Sequence, residues 1–154
     1  GVTRGDEAVH TYGAVPIMSV IYLVGSLRNP KIPEVAGYLR TLGHEVFDEW
    51  WIAGPKADDY WQRYHQARGH SLEGALDAYH AWHVFEYDRY HLNRCNTGVM
   101  VLPVGRSGHL ELGYLIGQGK PTYILLDKDP ERWDIMYRFA RGVYTSVKDL
   151  GEAL

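Results

Sequence analysis

Apolar positions follow two periods along this chain. Val20-Ile21-Tyr22-Leu23-Val24 is a short apolar, β-branched run closed by Gly25-Ser26, the pattern of a strand buried on both faces. From Pro33 to Gly43 the period lengthens. Val35, Leu39 and Leu42 share one helical face, Pro33 suits a first turn and Gly43 a stop. Glu45–Phe47 reads as a second short strand. Ser71–Arg94 reads as one long helix with Ser71 as its cap, since Leu76, Ala78/Tyr79, His83, Tyr87 and Tyr90 recur near helical spacing. Thr97–Pro103 is another buried strand, and 105–108 a loop. His109–Gly119 is a helix and Pro121–Leu126 a strand. Residues 131–141 read as helical, Val143-Tyr144 as a short strand and Val147–Leu154 as a last helix. Asp48–Gly69 carries Gly54, Pro55 and several Asp among its aromatics and reads as a long loop or lid. Residues 1–17 show neither period. They are expected to be a disordered leader or an added extension, with Met18 a natural start and 18–154 the domain.

This alternation of strand and helix predicts an α/β fold, a parallel sheet with helices on both faces. In such sheets ligands bind beyond the carboxyl ends of the strands, where the strand order reverses. The loops after Val24, Phe47 and Pro103 are therefore the places to look for chemistry.

Composition narrows the classes. A chain of 154 residues is one ordinary domain, and 45% hydrophobic with 23% charged residues is the balance of a globular protein. A formal charge of −3 offers no basic stripe for a nucleic-acid polymer, and no apolar run is long enough for a membrane span. The single cysteine, Cys95, excludes an intrachain disulfide and cysteine-rich zinc sites, and a reducing, cytoplasmic setting is expected. Aromatics reach 13%, and Phe47, Trp50, Trp51, Tyr60, Trp61 and Tyr64 fall close together.

Three features converge on the predicted ligand edge. Tyr22 to Arg28 runs from a strand into a Gly-Ser turn. Gly25 permits close approach of a ligand to the backbone, and Ser26 and Arg28 suit a sugar hydroxyl or a phosphate. The same dipeptide also serves as an ordinary turn. In Gly105–Tyr114, Ser107 is expected to cap a helix and Glu111 to lie in its first turn, where the positive helix end keeps a carboxylate ionised. A carboxylate so placed suits nucleophilic attack on an oxocarbenium-like sugar carbon, as in retaining glycosidases; a favourable helix-start Glu is the plain alternative. Asp88, on the apolar side of the long helix, is expected to be partly desolvated with a raised pKa, which suits proton handling at a leaving base. The plain alternative there is a surface ion pair with Arg89 or Arg94.

Taken together, these elements resemble the nucleoside 2-deoxyribosyltransferase superfamily, which includes 2′-deoxynucleoside 5′-phosphate N-hydrolases and CMP N-glycosidases. The resemblance rests on Tyr22-Leu-Val-Gly-Ser-Leu-Arg28, on Asp88 ahead of a strand, on Pro103-Val-Gly-Arg-Ser107 leading to Glu111-Leu-Gly-Tyr114, and on Gly119-Lys-Pro121. It runs from about Ser19 to the end of the chain, with Asp48–Gly69 a longer, more aromatic insertion. It implies a flavodoxin-like, Rossmann-like three-layer sandwich with a five-stranded parallel sheet. It also implies that Glu111 is the nucleophile, that Asp88 contacts the base and that Tyr22 orients Glu111. Gly25, Ser26, Arg28, Asp48, Trp50, Trp51, Gly105 and Ser107 are the expected substrate contacts. Asp134 and Met136 are expected to reach a neighbouring subunit's pocket, in a homodimer or larger assembly with shared sites. The chain departs from the pattern at Cys95-Asn96, where many members carry an Asp. The Gly-Ser-x-Arg turn resembles the monophosphate hydrolases, whereas Asp134-Ile-Met136 resembles the transferases.

The implied activity is cleavage of the N-glycosidic bond of nucleosides or nucleotides through a glycosyl-Glu111 intermediate, with the sugar passing to another base or to water. No metal or organic cofactor is needed. A hydrolase specific for nucleoside 5′-monophosphates and a non-catalytic nucleotide-binding sensor are the alternatives. The eight His carry no HExxH spacing, and His80, His83 and His91 read as helix-face residues. Cys95 reads as a small core residue. Trp50 and Trp51 are candidates for stacking on a base, against simple packing of the segment.

Overall fold

The structure, a computed structural model, describes residues 10–12, 15–128, 130 and 132–154. Strands β1 (His10–Tyr12) and β2 (Val15–Ile17) pair as an antiparallel hairpin. No strand was expected there; the rest of the expected leader, residues 1–9, 13 and 14, lies outside the described residues. Then follow β3 (Val20–Val24), α1 (Ile32–Thr41), β4 (Glu45–Phe47) and a 3-10 helix (Glu49–Ala53). Helices α2 (Ala57–Ala67), α3 (Leu72–Leu76) and α4 (Tyr79–Arg94) lead into β5 (Thr97–Val101). The chain continues through α5 (Arg106–Gly117), β6 (Thr122–Leu125), a second 3-10 helix (Ile135–Phe139), β7 (Gly142–Tyr144) and α6 (Val147–Ala153).

The main sheet has the order β4-β3-β5-β6-β7, and every neighbouring pair is parallel. Numbered within the sheet this is 2-1-3-4-5, the flavodoxin-like order, whose switch point lies between its first and third strands. Strand pleating sorts the core into two layers. Ile21, Leu23, Val99, Val101, Tyr123 and Leu125 face α1 and α6 through Ile32, Val35, Leu39 and Leu150. The alternate residues Tyr22, Val24, Met100 and Ile124 face α4 and α5 through Leu92, Cys95, Leu112 and Leu115. Tyr22 therefore points toward the layer that carries Asp88 and Glu111, because it is the middle residue of a five-residue strand.

Several elements differ from the sequence pattern. The segment 48–69 is not a loop but a 3-10 helix followed by α2, because Gly54 and Pro55 only separate the two turns and Asp58 and Asp59 fall in the first turn of α2, where acids favour a helix. Ser71 does cap a helix, accepting from the Gly74 N–H at 3.1 Å, but the helix it opens is short. Extended backbone at Ala78 (ψ 163°) breaks the predicted 71–94 helix into α3 and α4. The helical expectation for 131–141 reduces to the 3-10 turn 135–139, opened by the Asp134 carboxylate and closed by extended Ala140; Glu131 is outside the described residues.

The expected Ser107 cap is also overturned. The cap is Gly105, in extended backbone, and α5 starts at Arg106. Gly108 explains how closely this helix start packs. A Cβ built there would stand 2.1 Å from Val104 Cγ2 and 3.2 Å from Val24 Cγ1, so only glycine lets the first turn sit against the end of β3. The earlier start moves Glu111 into the second turn of the helix.

Candidate active site

Tyr22, Asp88 and Glu111 come from β3, α4 and α5 and meet at the carboxyl edge of the switch point. The Tyr22 phenol and the Glu111 carboxylate lie close enough for each to shift the other's pKa, with the phenol as the donor. Burial drives the Tyr22 pKa far above its usual value, and the Glu111 and Asp88 charges push the same way, so the phenol stays a donor at any working pH. Burial also raises the Glu111 carboxyl to about 7, helped by the Asp88 charge and opposed by the Tyr22 hydrogen bond. The expectation that a helix end keeps Glu111 ionised is therefore corrected. In the second turn the helix end is too far, and desolvation dominates.

Asp88 behaves as its sequence context predicts: burial raises its carboxyl to about 6. Its Oδ1 is buried and has no hydrogen-bond partner among the described residues. The arginines offered as its plain alternative are engaged elsewhere, Arg89 with Glu86 at 2.9 Å and Arg94 with Glu45 at 2.6 Å. Two neighbouring carboxyls raised by desolvation, with a phenol beside one of them, can deliver a nucleophile and an acid to the same substrate.

The wall beside this trio was less visible in the sequence. Phe47, at the end of β4, stacks on His91 with ring centroids 3.8 Å apart and lies 5.2 Å from the Tyr22 ring. Tyr87 packs edge-on against Phe47, and its hydroxyl donates to Glu49 at 3.4 Å. His91 sits one turn beyond Asp88 on α4; burial lowers its pKa, so it is a neutral ring. The sequence signals for this wall were that i, i+3 spacing, the place of Tyr87 in the helical repeat and that of Phe47 in the aromatic cluster.

The remaining candidates have defined partners. Gly25 leaves room for Ile32, since a Cβ there would be 2.5 Å from Ile32 Cδ1. Ser26 Oγ accepts from the Arg28 N–H at 3.1 Å, and the Arg28 guanidinium turns to Asp59 of α2. Asp48 pairs with Arg40 at 2.7 Å. The Trp50 indole donates to the Leu23 carbonyl at 2.8 Å and that of Trp51 to the Asn29 carbonyl at 3.0 Å, so both rings are fastened onto β3 and the loop after it. Gly105 and Ser107 lie exposed at the start of α5. The Asp134 carboxylate accepts from the Met136 N–H at 2.8 Å, and Met136 is exposed. Tyr137, in the same turn, hydrogen-bonds His109 at 3.0 Å, which places this segment beside the first turn of α5. Cys95 is buried, as expected. No group of three or more His, Cys, Asp or Glu that could hold a metal ion occurs among the described residues, and none of their helices is long and apolar enough to cross a membrane.

The architecture has relatives among solved structures. A 2-deoxyribosyltransferase from Bacillus psychrosaccharolyticus superposes with a TM-score of 0.61 at 17% identity, over 86% of this chain and 90% of that one. The chain shares the deoxyribosyltransferase fold. A CMP N-glycosidase from Clostridium botulinum follows at 0.51 and 15% identity, over 87% and 96% of the two chains. A conserved protein from Enterococcus faecalis V583 matches at 0.58 and 14%, over 88% and 96%. No family model and no curated protein matches the sequence. Within this shared fold, the chain gathers its trio at the carboxyl edge beside the adjacent strands β3 and β5.

Proposed function

We propose that this protein cleaves the N-glycosidic bond of nucleosides or nucleotides through a covalent ester on Glu111. The observation that carries the reading is the trio at the switch point, buried Tyr22 with the partly buried carboxyls of Glu111 and Asp88. Its support is that two proteins of the same fold are a 2-deoxyribosyltransferase and a CMP N-glycosidase.

In this reading a Glu111 oxygen attacks the anomeric carbon as the carbon–nitrogen bond breaks. The bonding pair leaves with the base, and protonated Asp88 supplies the base with a proton. The Tyr22 hydrogen bond holds the attacking carboxylate in line. A second base or water then attacks the same carbon, Glu111 departs as carboxylate, and Asp88 takes the proton of the incoming nucleophile. Neither step calls for a metal or an organic cofactor. The wall of Phe47, Tyr87 and His91 suits a flat heterocycle. Asp134 and Met136 serve the pocket of a neighbouring copy in an assembly of two or more chains.

Incubation with a 2-fluorinated deoxynucleoside, followed by peptide mass spectrometry, is expected to find the sugar on Glu111. Glu111→Gln is expected to lose turnover by a factor of at least about 1,000, because the ester cannot form. A Glu111→Gln protein with near wild-type turnover refutes the assignment.

A further inference from the structure

The loop between β3 and α1 carries two cations, Arg28 and Lys31, and each faces a carboxylate from a distant part of the chain. Arg28 Nη2 lies 3.4 Å from both oxygens of Asp59, and Lys31 pairs with Asp127. Asp59 belongs to α2, whose first turn also holds Asp58. The Ser26 hydroxyl pins the Arg28 backbone at the rim of the edge where Tyr22 and Glu111 meet. This loop is the place where the Gly-Ser-x-Arg sequence suggests a grip on an anionic 5′ group, and it presents its positive charge already countered.

We infer that Asp59 is a specificity-determining residue that holds Arg28 in an ion pair and disfavours a 5′-phosphate relative to a neutral 5′-hydroxyl. The inference rests on the N-glycosidase reading for its substrate class. The physics is competition. The Arg28 and Asp59 side chains are 69% and 49% exposed, so the pair is reachable by a ligand and weak in itself. A phosphate drawn to Arg28 carries nearly two negative charges and must share the guanidinium with a carboxylate that repels it. Asp58 adds to the same field. A neutral hydroxyl meets no such repulsion and accepts or donates a single hydrogen bond.

The test uses full-length protein and matched pairs of ligands, deoxycytidine with its 5′-monophosphate and deoxyadenosine with its 5′-monophosphate. Binding is measured by calorimetry in a Glu111→Gln background, and kcat/KM in the Glu111 background. Asp59→Asn is expected to raise the monophosphate-to-nucleoside ratio by roughly three- to fivefold, the range of an exposed charge pair. Asp59→Glu restores the wild-type ratio, Arg28→Ala in the Asp59→Asn background removes the gain, and raising salt from about 20 mM to about 500 mM shrinks it. A ratio unmoved by Asp59→Asn overturns the inference. So does a gain that survives Arg28→Ala, or monophosphates that bind to no variant. Binding that follows the expected ratios without any turnover leaves the Asp59 inference standing and strikes the proposed reaction alone.

Discussion

Glu111 and Asp88 tie chemistry to stability. Both carboxyls sit above their usual values in the folded protein, Glu111 at about 7 from 4.5 and Asp88 at about 6 from 3.8. The native state therefore binds protons more tightly than the unfolded chain. Their contribution is most favourable below about pH 4 and is lost as pH rises toward 7. Glu111→Gln removes one buried ionisation and keeps an acceptor for the Tyr22 hydroxyl. It is expected to stabilise the protein at pH 8 by about 2 kcal/mol and by almost nothing at pH 4. Urea unfolding at the two pH values checks this; an equal effect at both would contradict it. In the proposed reaction the same pair sets the activity profile. Attack needs Glu111 ionised and Asp88 protonated, which is the minor arrangement of the singly protonated pair because Glu111 holds its proton more tightly. The kcat/KM profile is therefore expected to be bell-shaped with its maximum between about 6 and 7 and to report only that minor fraction. A plateau extending above pH 8 would mean that no proton is needed on the pair. That Tyr22, Asp88 and Glu111 would gather at one edge of the sheet was legible in the sequence, but the environment of Glu111 was not. The cap position decides whether a carboxylate feels a helix end, and a shift of the start by a few residues replaced dipole stabilisation with desolvation.

At the scale of elements, what positions the trio is the fit between the start of α5 and the end of β3. Gly108→Ala would force Val104 and Val24 apart at contacts of 2.1 and 3.2 Å. It is expected to cost about 1–3 kcal/mol of stability by overpacking and to lower turnover by moving Glu111 away from Tyr22. Gly113→Ala on the same helix meets no atom within 4 Å and is expected to be neutral or to stabilise by up to about 1 kcal/mol. Thermal unfolding of both variants separates packing from helix propensity, and equal destabilisation would refute the packing account. The strands of the main sheet were the most legible elements. Runs such as Val20–Val24 and Thr97–Val101 are buried on both faces and have no competing pattern. The segment 48–69 misled because its turn residues cluster at Gly54-Pro55, while the aromatic positions of α2 alternate with charges. Tertiary anchors hold it instead: the Trp50 and Trp51 indoles on backbone carbonyls, and Asp59 on Arg28. Bonds between residues more than twenty positions apart leave no periodic trace.

For the whole molecule, the question is what covers its exposed apolar side chains. Trp133 is 89% exposed, and Ile135, Met136 and Phe139 stand beside it in or near the second 3-10 turn. Such clusters on a folded chain commonly mark an interaction surface. A net charge of only −3 sets up little repulsion between copies. The cluster includes Met136 and adjoins Asp134, the two residues that the sequence resemblance assigns to a neighbour's pocket. The Asp134 cap on Met136 gives that turn a fixed shape before any partner arrives, which lowers the ordering cost of docking. Light scattering is expected to find a dimer or a larger even assembly. Trp133→Asp, which places a charge in the middle of the cluster, is expected to shift it toward monomer. If the sites are shared, specific activity falls in parallel with the fraction assembled, by tenfold or more in the monomer, and dilution of the wild-type protein reproduces the loss. Full activity in a monomeric Trp133→Asp protein would show that each chain completes its own site and that the exposed turn serves another purpose.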